Sequence, residues 1–224
     1  MTLRKHIPNF ITMLNLFSGS MAVYYAFNGN FTVSFFAILI AGLFDFLDGL
    51  AARALKAYSP MGKELDSLAD VISFGLAPGV IVFSLFEQSQ LSEWLKFAGF
   101  IIPVFSALRL AKFNIDENQS SSFIGLPTPA NAIFWAGMGH SFSGWLIETP
   151  WVVLILTLLL SGLLVSKLPM FSLKFKNLRW ADNKIQYIFL GGCIALISIF
   201  GLSAFAPIIG WYILTSAGIY PFLK

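Results

Sequence analysis

Residues 43–75 read LFDFLDGLAARALKAYSPMGKELDSLADVISFG. Four aspartates, Asp45, Asp48, Asp66 and Asp70, stand here in a chain that is otherwise apolar. The stretch lies between two hydrophobic runs of helical length, so it reads as the end of one helix, a short polar connection and the start of the next. Carboxylates in such a place are costly, which points to chemistry rather than packing.

The surrounding chain decides what those helices are. It has 224 residues, of which 57% are hydrophobic and 11% charged, with 24 phenylalanines and a mean hydropathy of +0.78. A soluble domain carries about 25% charged residues, so an ordinary globular protein is excluded. The expected class is all-α: a polytopic membrane helix bundle, one integral-membrane domain over 1–224. A single cysteine, Cys193, excludes an intramolecular disulfide and a cysteine-based metal cluster. The N-terminus resembles a signal peptide, but it shows no small-residue cleavage site and Asn15 interrupts its apolar run. It is expected to be a retained first helix.

Eight spans are predicted, at 10–27, 31–54, 65–85, 97–112, 130–146, 151–168, 185–200 and 204–220. No strand-like alternation suggests a β-barrel. With the N-terminus in the cytosol, Lys96 is the one basic residue on the far side. Arg4, Lys5, Arg53, Lys56, Lys63, Arg109, Lys112, Lys167, Lys174, Lys176, Arg179, Lys184 and Lys224 all fall on the cytosolic side. This asymmetry predicts cytosolic termini. The basic run 174–184 is expected to touch anionic headgroups.

From a helix start near Phe31, a rise of about 1.5 Å per residue puts Asp45 about 21 Å and Asp48 about 25 Å along it. In a hydrocarbon layer about 30 Å thick, both lie just beneath the cytosolic edge. Asp66 and Asp70 return to that depth at the start of the next helix. Asp45 and Asp48 are spaced i, i+3 and Asp66 and Asp70 i, i+4, so each pair shares a face. Gly49, Ala52 and Gly62 keep those faces open for close approach. Four converging acids call for a divalent cation, and all-oxygen ligands favour Mg²⁺ or Mn²⁺. Two other readings remain: helix caps and surface acids pairing with Arg53, Lys56 and Lys63, or the ion pathway of a transporter.

The spacing Asp45-x2-Asp48-Gly49-x2-Ala52-Arg53-x8-Gly62-x3-Asp66-x3-Asp70 resembles the signature of the CDP-alcohol phosphotransferase family. IPNFITMLNLFSG at 7–19, DSLADVISFGLAPG at 66–79, RLAKFN at 109–114 and FIGLPTPANA at 123–132 resemble its phosphatidylserine synthase branch. The similarity is strong over 7–132 and rests on hydrophobic pattern beyond. It implies a six-helix catalytic core, here 1–168, with a cytosolic basic loop at 169–184 and two added helices at 185–224, commonly as a homodimer in a prokaryotic cytoplasmic membrane. It also implies transfer of a phosphatidyl group from CDP-diacylglycerol to L-serine among membrane lipids, with no nucleic-acid partner. Other acceptors (glycerol phosphate, inositol phosphate or choline) and an ether-lipid donor stay open.

By the same resemblance, Asp45, Asp48 and Asp66 bind metal, two ions in all. Asp70 is both ligand and base. Gly49, Arg53 and Ser59 contact the nucleotide and diphosphate of the donor, and Asn9 and Thr12 face it from the first helix. A serine carboxylate needs a cation, and Arg109 and Lys112, spaced i, i+3 at the cytosolic end of the fourth span, are the candidates.

Overall fold

A computed structural model describes residues 6–90, 93–115, 123–173, 175 and 177–219. The basic residues Arg4, Lys5, Lys174, Lys176 and Lys224, used above for orientation, lie outside the described residues. Each of the eight predicted spans coincides with a helical rod. By length and composition, five helical segments can cross a membrane, so the chain is a polytopic helical bundle.

Helix α1, His6–Phe27, and α2, Phe31–Ala54, form a hairpin packed along its length. The turn uses Gly29 at φ +70°, a conformation suited to glycine. Asn30 caps α2 by accepting from the Val33 amide at 3.1 Å. At its other end α2 stops in a left-handed turn at Lys56, φ +49°. There Lys56 N–H bonds Arg53 O and Ala57 N–H bonds Ala52 O, the paired closure of a Schellman motif.

The next rod is the central one. Helix α3, Pro60–Asp70, runs through a π-helical segment, Val71–Leu76, into α4, Ala77–Glu87. Ser59 starts it, accepting from the Gly62 amide at 3.0 Å with proline following at the first helical position. Every residue from Ala77 to Phe86 is buried. A 3₁₀ segment, Glu93–Phe100, crosses α4 through facing glycines: a Cβ on Gly99 would lie 2.5 Å from the Gly79 carbonyl oxygen. It continues as α5, Ile101–Ile115.

Helix α6, Thr128–Glu148, packs on α2 and α4 and bends at Phe142, and α7, Pro150–Leu164, returns beside α5. A two-residue ladder, β1 (Phe123–Ile124) with β2 (Pro169–Met170), ties the entry of α6 to the exit of α7. Gly125, at φ +76°, fits where any side chain would strike the Leu164 carbonyl. Helix α8, Lys184–Phe200, turns at Gly201 into α9, Phe205–Leu214, which packs on α6. Only Ile185 and Phe189 of α8 are buried.

The burial pattern is inverted relative to a soluble protein. On α1 the buried residues are Pro8, Thr12, Asn15, Gly19, Ala22 and Ala26, while Phe10, Phe17 and Tyr24 face outward. Large apolar side chains outside and small or polar ones between helices are what a hydrocarbon solvent selects.

Candidate active site

The hairpin and the central rod meet where the four aspartates stand. Asp45 and Asp48 come from the last turns of α2, Asp66 and Asp70 from α3. One carboxylate oxygen each of Asp45, Asp48 and Asp66 lie within 4.8 Å of one another. Asp70, one turn beyond Asp66, is outside that trio, though its charge acts on all three. The sequence places four acids at one depth; the structure brings three within reach of one ion and sets the fourth beside them.

Helix α1 forms the third wall and fixes two of the carboxylates. Thr12 Oγ1 donates to Asp48 Oδ2 at 2.7 Å. Asn15 Nδ2 reaches Asp70 Oδ1 at 3.4 Å. The Asn15 backbone carbonyl in turn accepts from Ser73 Oγ in the π segment at 3.1 Å. Gly19 permits this approach, because a Cβ there would lie 2.6 Å from Ser73 Cα. The wider π turn directly follows Asp70, a placement common at functional sites.

These acids are not spent on ion pairs. Among the described residues none of them pairs with a lysine or arginine. Arg53 Nε donates to Gly49 O and Lys63 Nζ to Asn114 O. Asp66 Oδ1 is buried with no hydrogen-bond partner. Three convergent carboxylates and an orphaned buried oxygen make an all-oxygen donor set that fits a hard divalent cation.

A cavity of about 520 Å³ opens over the cluster. Asp48 and Asp66 line it together with four of the residues expected to meet the donor: Asn9, Thr12, Gly49 and Ser59. Arg53 is exposed and does not line it. Tyr58 and Lys63, which the signature does not single out, do. Gly62 lets α3 close against α1: a Cβ there would meet Asn9 Oδ1 at 3.0 Å and Ser59 Oγ at 3.1 Å.

Arg109 and Lys112 lie elsewhere. Both line a second cavity of about 60 Å³, together with Leu164 at the end of α7 and Ser166 just beyond it. Lys112 is exposed, whereas Arg109 is buried and directs Nη1 at Thr128 Oγ1, 3.5 Å away. Arg109 is within electrostatic reach of Asp70, although the second cavity shares no lining residue with the first.

The family model for CDP-alcohol phosphatidyltransferase matches residues 5–213. The chain belongs to this family. The match extends beyond 132, where the motif resemblance fades, and takes in α8 and most of α9. Among similar proteins is a CDP-diacylglycerol–serine O-phosphatidyltransferase of Methanocaldococcus jannaschii, 34% identical over 195 residues, covering 86% of this chain and 84% of that one. One of that name from Helicobacter pylori is 31% identical over 215 residues, covering 92% and 87%. An archaetidylserine synthase of Methanothermobacter thermautotrophicus is 35% identical over 129 residues, 57% of this chain and 54% of that one. The protein is therefore an integral membrane member of a phosphatidyl-transferring family, with an acidic trio able to hold a metal ion.

Proposed function

We propose that the protein transfers the phosphatidyl group of CDP-diacylglycerol to the hydroxyl of L-serine and releases CMP. The observation that carries this is the trio Asp45, Asp48 and Asp66, two of which, Asp48 and Asp66, line an open cavity; the helix lengths read from the sequence put these acids at headgroup depth. A lipid diphosphate keeps its tails in the bilayer and its nucleotide in water, so it reacts at that depth. The relatives' names support serine as acceptor.

In this reading Asp45, Asp48 and Asp66, joined by Asp70, hold two ions, Mg²⁺ or Mn²⁺. Bound there, the ions neutralise diphosphate charge and make CMP a better leaving group. Asn9, Gly49 and Ser59 hold the nucleotide and diphosphate in the cavity, and Thr12, on its wall, holds Asp48. Arg53, on the adjacent helix end, swings in to offer its fork to phosphate oxygens. Arg109 and Lys112 hold the carboxylate of serine. Asp70 accepts the hydroxyl proton as the serine oxygen bonds to the lipid-side phosphorus and the bond from that phosphorus to the CMP oxygen breaks. The carboxylates face the cytosol of a prokaryotic membrane, the core 1–168 carries the chemistry and the protein works as a homodimer.

The test is CMP release by purified protein with CDP-diacylglycerol, labelled serine and Mg²⁺ or Mn²⁺. Serine-dependent release with label entering lipid is expected. Release only with glycerol phosphate, inositol phosphate or choline would replace the acceptor, and ion flux without release would replace the enzyme by a transporter. The archaetidylserine synthase relative makes an ether-lipid donor the comparison to run alongside.

A further inference from the structure

Buried polar groups in a membrane bundle find partners inside the protein, because hydrocarbon supplies none. Among the described residues several do not, and two of these, Arg109 and Asn131, are brought to one corner of the bundle. Arg109 is 8% exposed, and its Nε has no partner. Asn131, on α6, is fully buried, and neither atom of its side-chain amide has a partner among the described residues. Asn131 lies three residues beyond Thr128, the residue that Arg109 reaches. Their side chains therefore stand on one face of α6, with Cβ atoms about 5–6 Å apart. Helices α5 and α6 both pack against the π segment that follows Asp70.

The corner therefore holds a forked cation bonded to Thr128 through Nη1 but unpartnered at Nε, one free amide donor and one free acceptor, and the unpartnered groups are deprived of water. Turning the amide over changes nothing, since both of its atoms are free. A matching ligand must accept from Arg109 and Asn131 and donate back to Asn131. A carboxylate with an ammonium on the adjacent carbon does this. A simple alcohol offers no anion to the guanidinium, and a phosphate monoester offers no ammonium to the amide oxygen. On the Arg109 side the corner opens into the 60 Å³ cavity, which has room for several water-sized volumes; Asn131 is not among that cavity's lining residues.

We infer that Asn131 and Arg109 together read the α-amino-acid end of the acceptor. The carboxylate lies on the guanidinium and the amide NH₂, and the ammonium on Asn131 Oδ1. The hydroxyl arm is thereby turned toward Asp70. Lys112, exposed and lining the same cavity as Arg109, supplies a second cation for the carboxylate. This assignment rests on the proposed reaction and adds the residue that separates serine from acceptors lacking either charge.

The decisive variant is Asn131→Leu, measured by serine KM, donor KM and melting temperature with and without L-serine. An unpartnered amide contributes little to folding, so the variant melts no lower than the parent protein. Its serine KM rises about tenfold to a hundredfold, the usual effect of losing hydrogen bonds to a charged group. The donor KM stays within about twofold and the serine-induced rise in melting temperature disappears. A wild-type serine KM in Asn131→Leu overturns the assignment. Should that variant fail to fold, Asn131→Ser is read by the same division between serine and donor KM, and an unchanged serine KM overturns it equally. The parent protein is also run with ethanolamine, which lacks the carboxylate, and 3-hydroxypropanoate, which lacks the ammonium. Turnover of either as efficient as of serine overturns the assignment. If the parent protein releases no CMP with serine, the proposed reaction itself falls, an outcome distinct from a wild-type KM in the variant.

Discussion

Thr12 separates what the motif implies from what the structure does with it. By resemblance Thr12 faces the donor lipid, yet its hydroxyl donates at 2.7 Å to Asp48 Oδ2, and both residues are buried, at 3% and 6% exposure. Thr12→Val keeps the shape and removes only that donor. A hydrogen bond to a charged group contributes about 1.5–3 kcal/mol, which at 1.36 kcal/mol per decade is about tenfold to a hundredfold in how well Asp48 is held as a ligand. Loss of a group that orients a metal ligand costs about the same in metal affinity. The assay is Mn²⁺ binding to the purified protein without lipid, by titration calorimetry, followed by the metal dependence of turnover. The expected result is a Kd for Mn²⁺ raised at least tenfold, with activity partly rescued by excess metal. Unchanged Mn²⁺ binding with a raised donor KM would refute the reasoning and return Thr12 to direct lipid contact.

Two further substitutions test the cluster and its frame. Asp66→Asn should abolish turnover but raise the melting temperature in EDTA by up to about 6–12 °C, since two carboxylates about 5 Å apart repel by up to about 3 kcal/mol at an effective dielectric near 20. A lower melting temperature in EDTA would mean that the acids stabilise the fold without metal. Lys56→Gly should stabilise by about 1 kcal/mol without changing either KM, because Lys56 holds φ +49°, a region costly to every residue with a Cβ. Unaltered thermal stability would show that the turn relaxes.

Much of the fold is legible in the chain because the bilayer sets a coarse filter. Apolar runs of helical length with short connections at Asn28–Asn30 and around Thr149 leave little choice, and the eight rods follow. What is not legible depends on contacts between runs. Nothing in VISFGL announces a π segment; it forms where Ser73 bonds the Asn15 carbonyl and Gly19 opens the space for it. Residues 97–100 read as the start of the fourth span, but Gly99 is pressed against Gly79, and the chain takes the tighter 3₁₀ path over Glu93–Phe100.

The acidic trio is legible because paired carboxylates at i, i+3 and i, i+4 survive any error in span boundaries. Its supports are not, because they obey an inverted rule. In water the face of α1 carrying Thr12, Asn15 and Gly19 would turn outward and Phe10, Phe17 and Tyr24 inward. In hydrocarbon the same helix rotates its polar stripe onto the hairpin and the central rod. Asn15, the residue that argues against a cleaved signal peptide, is thereby the one that reaches Asp70. Asn131 follows the same logic on α6, a polar residue that hydrocarbon cannot accommodate and that must therefore face the interior. The search for functional residues in such a chain thus begins with the isolated polar positions of its apolar helices, asking of each what inside the bundle it could meet.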